Sequence, residues 1–397
     1  MTIYLHKFSR LAAASVAAAL WSIITPAVQA HDPHPGGETH DRAVSEATDI
    51  AIIAKNKGWA WAATQRHMND QRRFGDLQDQ IEGRFPTTFS GAEFAKTPGG
   101  ASYLRFKGIV PTAAKSLAAE SGLNVEVTGG RQYSATELQK RAVATVTYFA
   151  DAGYEQVGSA VLADGTIEVM VTGRPEKGIS LPPELSNGVT VRYIDQKIVQ
   201  NEHTYGGAYI HGSSGQCTTG FSVRSLLTNE TGVTTAAHCS GMNHYHEPEG
   251  GPAYDTVWED QHEGFEGDVE WHSTPTHVDL AEYYASPTDR REVNSVETSA
   301  AVNNTYCVYS RMQGTRTCDD VYSTFVTSYT FSGGLVSNLV AMDDDNTVGG
   351  DSGGPWSYGT EAVGGHRGDQ WIWFGTRNVW SRAWRFDTAI DVEVLTQ

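Results

Sequence analysis

Gly349-Gly350-Asp351-Ser352-Gly353-Gly354-Pro355, near the carboxyl end, sets a hydroxyl among glycines, and its counterpart lies upstream at Thr234-Thr235-Ala236-Ala237-His238-Cys239. Glycine at 350, 353 and 354 lets the backbone turn tightly and approach a ligand without a Cβ, so the N–H groups of Gly350 and Ser352 can converge on one oxygen. A serine hydroxyl is a poor nucleophile at neutral pH. It needs an imidazole to take its proton and N–H donors to hold the oxyanion that forms. His238 follows the β-branched run Val233-Thr234-Thr235 and precedes a half-cystine able to pin it. A turn between strands would explain Ser-Gly-Gly alone, and a structural histidine would explain His238 alone. Together the two strings point to acyl-transfer chemistry on Ser352, with Gly350 and Ser352 as oxyanion donors.

The chain has 397 residues, more than one hydrophobic core usually organises, which predicts two domains plus processing segments. A formal net charge of −18 argues against sequence-independent binding to nucleic acid or to an anionic membrane surface, since both need basic patches. Residues 1–30 run from a weakly basic start through an apolar stretch to Val28-Gln29-Ala30, the pattern of a secretory signal peptide with a small-residue cleavage site. This predicts a secreted protein, extracellular or periplasmic, with no membrane association once the signal is removed. Cys217, Cys239, Cys307 and Cys318 are the only cysteines. An even number in an exported chain favours two disulfides. Of three connectivities, Cys217 with Cys239 and Cys307 with Cys318 close the shortest loops. The absence of a C-x-x-C pair speaks against zinc. The histidines between 244 and 277 lack helical His-x-x-x-His spacing, so neither a metal nor a cofactor is expected.

Residues 31–47 are polar and rich in His, Gly and Pro, and read as a flexible spacer. Residues 48–175 read as a small α+β domain: helical periodicity over Glu46–Gln80, a strand at Ser102–Phe106, a helix over Thr112–Ser121 and a strand over Leu123–Thr128. Next comes a capping box at Ser134-Ala135-Thr136-Glu137 that opens an amphipathic helix to about Gly153, followed by strands over Val157–Leu162 and Thr166–Thr172. Residues 176–204 hold Pro182 and Pro183 and read as a linker. From 205 to 397 short alternating segments and frequent Gly, Asn and Ser turns predict an all-β barrel or sandwich.

The segment 205–397 resembles the chymotrypsin-like (trypsin-fold) serine peptidases, in particular the bacterial secreted branch that contains streptogrisins and α-lytic protease. The resemblance rests on Thr-Ala-Ala-His-Cys at 235–239, Gly-Asp-Ser-Gly-Gly-Pro at 350–355, the order histidine before serine, and Gly206-Gly207-Ala208 followed by Cys217-Thr218-Thr219-Gly220-Phe221. It implies a mainly β protein with a chymotrypsin-like double β-barrel, and the upstream α+β domain resembles that branch's pro-segments. A monomeric endopeptidase acting on peptide or protein substrates, made as a zymogen with its own pro-segment as partner, is the expectation that follows. A non-cleaving binding protein and an esterase on the same scaffold are the alternatives.

The chain order of this architecture places the triad acid between His238 and Ser352. Asp268, thirty residues after His238 in Gly267-Asp268-Val269, competes with Asp279, forty-one residues after it. The glycine and the short spacing favour Asp268. Asp351, beneath the serine, needs a cation or several hydrogen bonds if it is buried; the resemblance assigns Arg311 as its ion-pair partner. It also implies a substrate pocket involving Asn346, His366 and Gly368. His366 falls where acid-preferring relatives carry histidine, and Asn346 stands where trypsin-like members place an aspartate.

Overall fold

The computed structural model describes residues 38–40, 42–154, 157–172, 181–194, 207–213, 215–246, 253–275, 277–329, 334–372 and 375–397. The expected signal peptide, most of the spacer and much of the linker lie outside the described residues. No described helix is long and apolar enough to cross a membrane.

Helical periodicity upstream resolves into two helices, Arg42–Lys57 and Trp61–Arg84, broken at Gly58-Trp59-Ala60. The first begins inside the segment read as a spacer, where a short strand, Glu38–His40, also pairs with Asp289–Glu292. Its reason is a buried face of Ser45, Asp49, Ile50 and Ile53 at helical spacing. Downstream, Phe89–Glu93 pairs antiparallel and Val125–Arg131 parallel with the central strand Ser102–Lys107, and helix Thr112–Glu120 makes the crossover. Phe74, Leu77, Ile81, Phe89, Leu104 and Phe106 fill the core under this layer. The capping box is formed in both directions. Glu137 N–H donates to Ser134 Oγ, Ser134 N–H donates to Glu137 Oε2, and the helix runs Ala135–Asp151. Leu138, Ala142, Val146 and Phe149 pack this helix on the hairpin Val157–Val161 and Ile167–Thr172. Val189–Ile194, inside the proline-containing stretch read as a linker, is a strand parallel to Ile167–Thr172.

The chain is mainly β from residue 207 onward. Six strands close a ring of antiparallel pairings in the order Thr305–Ser310, Pro355–Tyr358, Glu361–Ile372, Gly375–Arg382, Leu335–Met342, Thr315–Tyr329 and back to Thr305–Ser310. That closure is a β-barrel without free edges around the ring. Earlier strands form a five-stranded sheet in the order Val257–Gly264, Gly267–Ser273, Thr231–Thr235, Ser222–Ser225, Val392–Val394, and a four-stranded sheet around Met242–His246. Phe221, Val223, Val269, Trp271, Tyr283 and Phe386 form the core of this half.

The upstream module is joined to the closed barrel in three ways. Val157–Val161 extends its sheet by pairing with Thr315–Tyr329, at Ala160 with Val326. Ile50, Ile53 and Met68 share one apolar cluster with Tyr306, Val340, Trp356 and Trp380. Asp49, fully buried, accepts from Arg316 Nε at 2.7 Å and Nη2 at 2.9 Å, from Arg291 Nη1 at 2.9 Å and from Gly359 N–H at 2.7 Å. Burial opposes its ionisation, yet the two guanidiniums and the N–H hold its carboxyl below the ordinary 3.8.

Candidate active site

His238 follows Thr231–Thr235 directly, after the short turn in which Cys239 N–H donates to the Ala236 carbonyl at 2.9 Å. The Cys217–Cys239 disulfide ties that turn to the strand Gly215–Thr218, and the Cys307–Cys318 disulfide crosses a hairpin of the closed barrel. Asp268 opens the neighbouring strand Gly267–Ser273, and its N–H and C=O both bond Ser381 Oγ, at 2.9 and 3.1 Å. Gly267 has φ 122°, and a Cβ there would come within 2.9 Å of Ser381. Glycine is therefore what allows the aspartate to lie this close to the barrel strand Gly375–Arg382.

Asp268 meets His238 twice. Its Oδ2 accepts from His238 Nδ1 at 2.7 Å, and its Oδ1 accepts the His238 main-chain N–H at 3.1 Å. Burial raises the Asp268 carboxyl, but His238 and Arg367 outweigh it and hold the pKa at about 2. An ionised acceptor fixes the proton on Nδ1 and turns Nε2 outward from Asp268. Nε2 is buried and has no hydrogen-bond partner among the described residues. Asp279 sits elsewhere: both its carboxylate oxygens accept from Thr274 Oγ1, at 2.7 and 2.6 Å.

The serine loop packs against the strand that leads to His238. Ser352 C=O accepts from Thr218 N–H at 2.8 Å, and Thr218 C=O accepts from Thr235 Oγ1 at 2.5 Å. A Cβ at Gly353, where φ is 91°, would lie 2.1 Å from the Thr218 oxygen, so only glycine fits after the serine. The loop is also bonded to the barrel strand Glu361–Ile372, by Gly353 N–H to the His366 carbonyl at 2.6 Å and by His366 N–H to the Gly354 carbonyl at 2.8 Å. Ser352 Oγ lies 3.4 Å from the Arg367 carbonyl oxygen.

Asp351 is fully buried and accepts from Val348 N–H at 3.0 Å. Burial pushes its carboxyl up to about 6, opposed by that bond, by the Ser310 hydroxyl and by the main-chain N–H groups of Met312 and Arg311. Among the described residues no ion pair joins Asp351 to Arg311. The Arg311 guanidinium lies over the Tyr209 ring, 5.3 Å from its centroid. Asp351 Oδ1 is buried and has no hydrogen-bond partner among the described residues.

Of the pocket candidates, His366 is buried and neutral. Trp356 Nε1 donates to its Nδ1 at 3.3 Å, which leaves Nε2–H to face Thr347 Oγ1 at 3.0 Å. Burial, with His238 and Arg367 nearby, pushes its pKa down to about 3. Asn346 N–H donates to Asn378 Oδ1 at 2.7 Å, and Asn378 Nδ2 also donates to Thr347 Oγ1 at 2.7 Å. Gly368 lies at a register shift between His366 and the strand Gly375–Arg382. Strand Pro355–Tyr358 pairs with its neighbour up to Gly365 and the serine loop continues the pairing to His366; among the described residues no strand covers that edge beyond it.

One residue of the site escapes sequence reasoning. Arg367, 3% exposed, donates from Nε to Asp268 Oδ2 at 3.0 Å, on the oxygen that His238 Nδ1 also uses. Gly-His-Arg-Gly reads as a strand segment, and nothing local marks the arginine as buried.

No family model matches the chain, and no curated protein matches its sequence. Several solved structures are similar to part of it. A glutamic acid specific serine protease that utilizes a histidine triad in substrate binding is 22% identical, with 48% of this chain and 99% of that chain covered at a TM-score of 0.39. Thermobifida fusca protease A is 22% identical over 49% of this chain and 100% of its own, at 0.38. Nocardiopsis protease is 18% identical over 49% and 100%, at 0.40. These likenesses span about half of this chain, and the functional reading rests on the residues described above.

Proposed function

We propose that this chain is a secreted serine endopeptidase that hydrolyses peptide bonds through an acyl-enzyme on Ser352. His238 takes the serine proton as the hydroxyl attacks the carbonyl carbon, then gives it to the leaving amine. Asp268 accepts from Nδ1, fixes the tautomer and stabilises the imidazolium. The N–H groups of Gly350 and Ser352 hold the tetrahedral oxyanion, each worth about 3 kcal/mol in comparable sites. Water, activated by the same imidazole, then releases the acyl group.

The observation that carries this reading is the pairing of His238 Nδ1 with a buried, ionised Asp268, with Nε2 left unengaged among the described residues. The strand edge beyond His366 suits an extended peptide, held by main-chain hydrogen bonds in the manner of strand addition. Asn346, His366 and Gly368 border the pocket for the residue before the scissile bond. The module upstream of residue 176 is the pro-segment, exported with the peptidase behind the signal peptide of residues 1–30.

Matched peptide and ester substrates, assayed with the wild-type chain and with Ser352→Ala, test the reading. Peptide hydrolysis that disappears in the variant supports it. Ester hydrolysis alone makes the chain an esterase, and turnover retained in Ser352→Ala removes the assignment.

A further inference from the structure

We infer that Arg367 is a positioning residue of this site: its guanidinium shares the Asp268 carboxylate with His238 and extends the enzyme's working range into mildly acidic solution. The inference rests on the peptidase reading above.

Arg367 touches both ends of the proposed relay. Its Nε donates to Asp268 Oδ2 at 3.0 Å, and its carbonyl oxygen lies 3.4 Å from Ser352 Oγ. With His238 on the same Oδ2 and on Oδ1, the carboxylate is held by three hydrogen bonds. Arg367 Nη2 has no hydrogen-bond partner among the described residues, and Asp268 is the carboxylate with which its side chain pairs. Its charge thus acts on the Asp268–His238 pair.

The surrounding groups show why that charge matters. Asp268 and Glu270 are two buried acids on one strand, and Glu270 is bonded to His272 Nε2 at 2.9 Å and itself pushed up by burial. Glu263 stands in register with Asp268 on the adjoining strand Val257–Gly264. From the barrel side come His366, held neutral, and Arg367. Acids alone would favour the imidazolium form of His238, which cannot accept the serine proton. A guanidinium on the shared oxygen opposes that protonation by repulsion. It also weakens the stabilisation of the imidazolium formed during attack. The trade is a lower maximal rate for activity in acid.

The test uses the full chain as wild type, Arg367→Gln, Arg367→Met and Arg367→Lys. The acidic limb of the kcat/KM profile is measured, and the His238 imidazole is titrated by NMR, which needs no turnover. Both neutral variants are expected to move limb and titration midpoint up by about one to two pH units. Lysine, which keeps the charge, stays close to wild type. Coincident profiles for wild type and the neutral variants, whatever their maximal rates, would leave Arg367 a packing role and overturn the inference alone. Absence of Ser352-dependent turnover in the wild type would instead overturn the peptidase reading, and this role with it.

Discussion

Replacing Asp49 with alanine should destabilise the protein far more than a single change on a helix of the upstream module would suggest. The carboxylate is fully buried between Arg291, itself fully buried, and Arg316, 4% exposed. Alanine removes both bonds to Arg316 and one to Arg291, and strips the Gly359 N–H of its acceptor. Arg291 keeps Asp289, through Nε at 3.0 Å and Nη2 at 2.8 Å, so its charge stays compensated. Arg316 keeps Ser357 Oγ at 3.0 Å but loses its carboxylate. Breaking a buried pair on one side costs about 3–5 kcal/mol, which for a chain of this size corresponds to about 5 °C in melting temperature. The sign of the pH dependence separates charge from packing. Asp49 has a folded pKa below its ordinary 3.8, so its contribution is complete above that value and is lost as pH falls through the folded one. The difference between thermal melts of wild type and Asp49→Ala should therefore be full at pH 7 and shrink as pH falls below 3.8. A difference under 1 °C at pH 7 would refute the claim that this carboxylate clamps the module to the barrel.

Other expectations follow from the same geometry. Asp268→Asn should lower turnover by about 10⁴ because the amide supports the wrong tautomer, whereas Asp279→Asn, bonded to Thr274, should leave it intact; the reverse result in kcat/KM would move the acid to Asp279. Asp351 has a folded pKa of about 6 against an ordinary 3.8, so its protonated form favours the fold at low pH and that benefit is lost as pH rises through 6. Asp351→Asn should consequently gain about 2 kcal/mol on wild type between pH 4 and 7, read from urea midpoints, and parallel curves would contradict the shift. Limited proteolysis should cut near Pro182 and Pro183, yet the two pieces should co-elute until denaturant is added, because they share a sheet and an apolar core. Separation of the pieces in native buffer would count against that docking.

The parts legible in the sequence are those whose determinants are local. The Ser134–Glu137 capping box, the strand entering His238 and the glycine before Asp268 each carry their reason within a few residues. What was not legible depends on partners remote in sequence. Asp49 looks like a solvated helix residue until Arg291 and Arg316 are brought to it, and Arg367 looks like an edge residue until Asp268 lies beside it. Val189–Ile194 alternates as a strand should, but the two prolines before it outweigh that pattern until Ile167–Thr172 offers an edge to pair with. Asp351 and Arg311 belong with these cases. The resemblance pairs Asp351 with Arg311, whose guanidinium instead lies over the Tyr209 ring, a contact between residues far apart in the chain that no local pattern marks.

Covalent capture tests the central claim most directly. A fluorophosphonate probe incubated with the full chain, followed by peptide mapping, should place the adduct on Ser352 in wild type and yield none in His238→Ala, since the hydroxyl reacts only when the imidazole takes its proton. Adduct elsewhere, or equal labelling of Ser352 without His238, would contradict it.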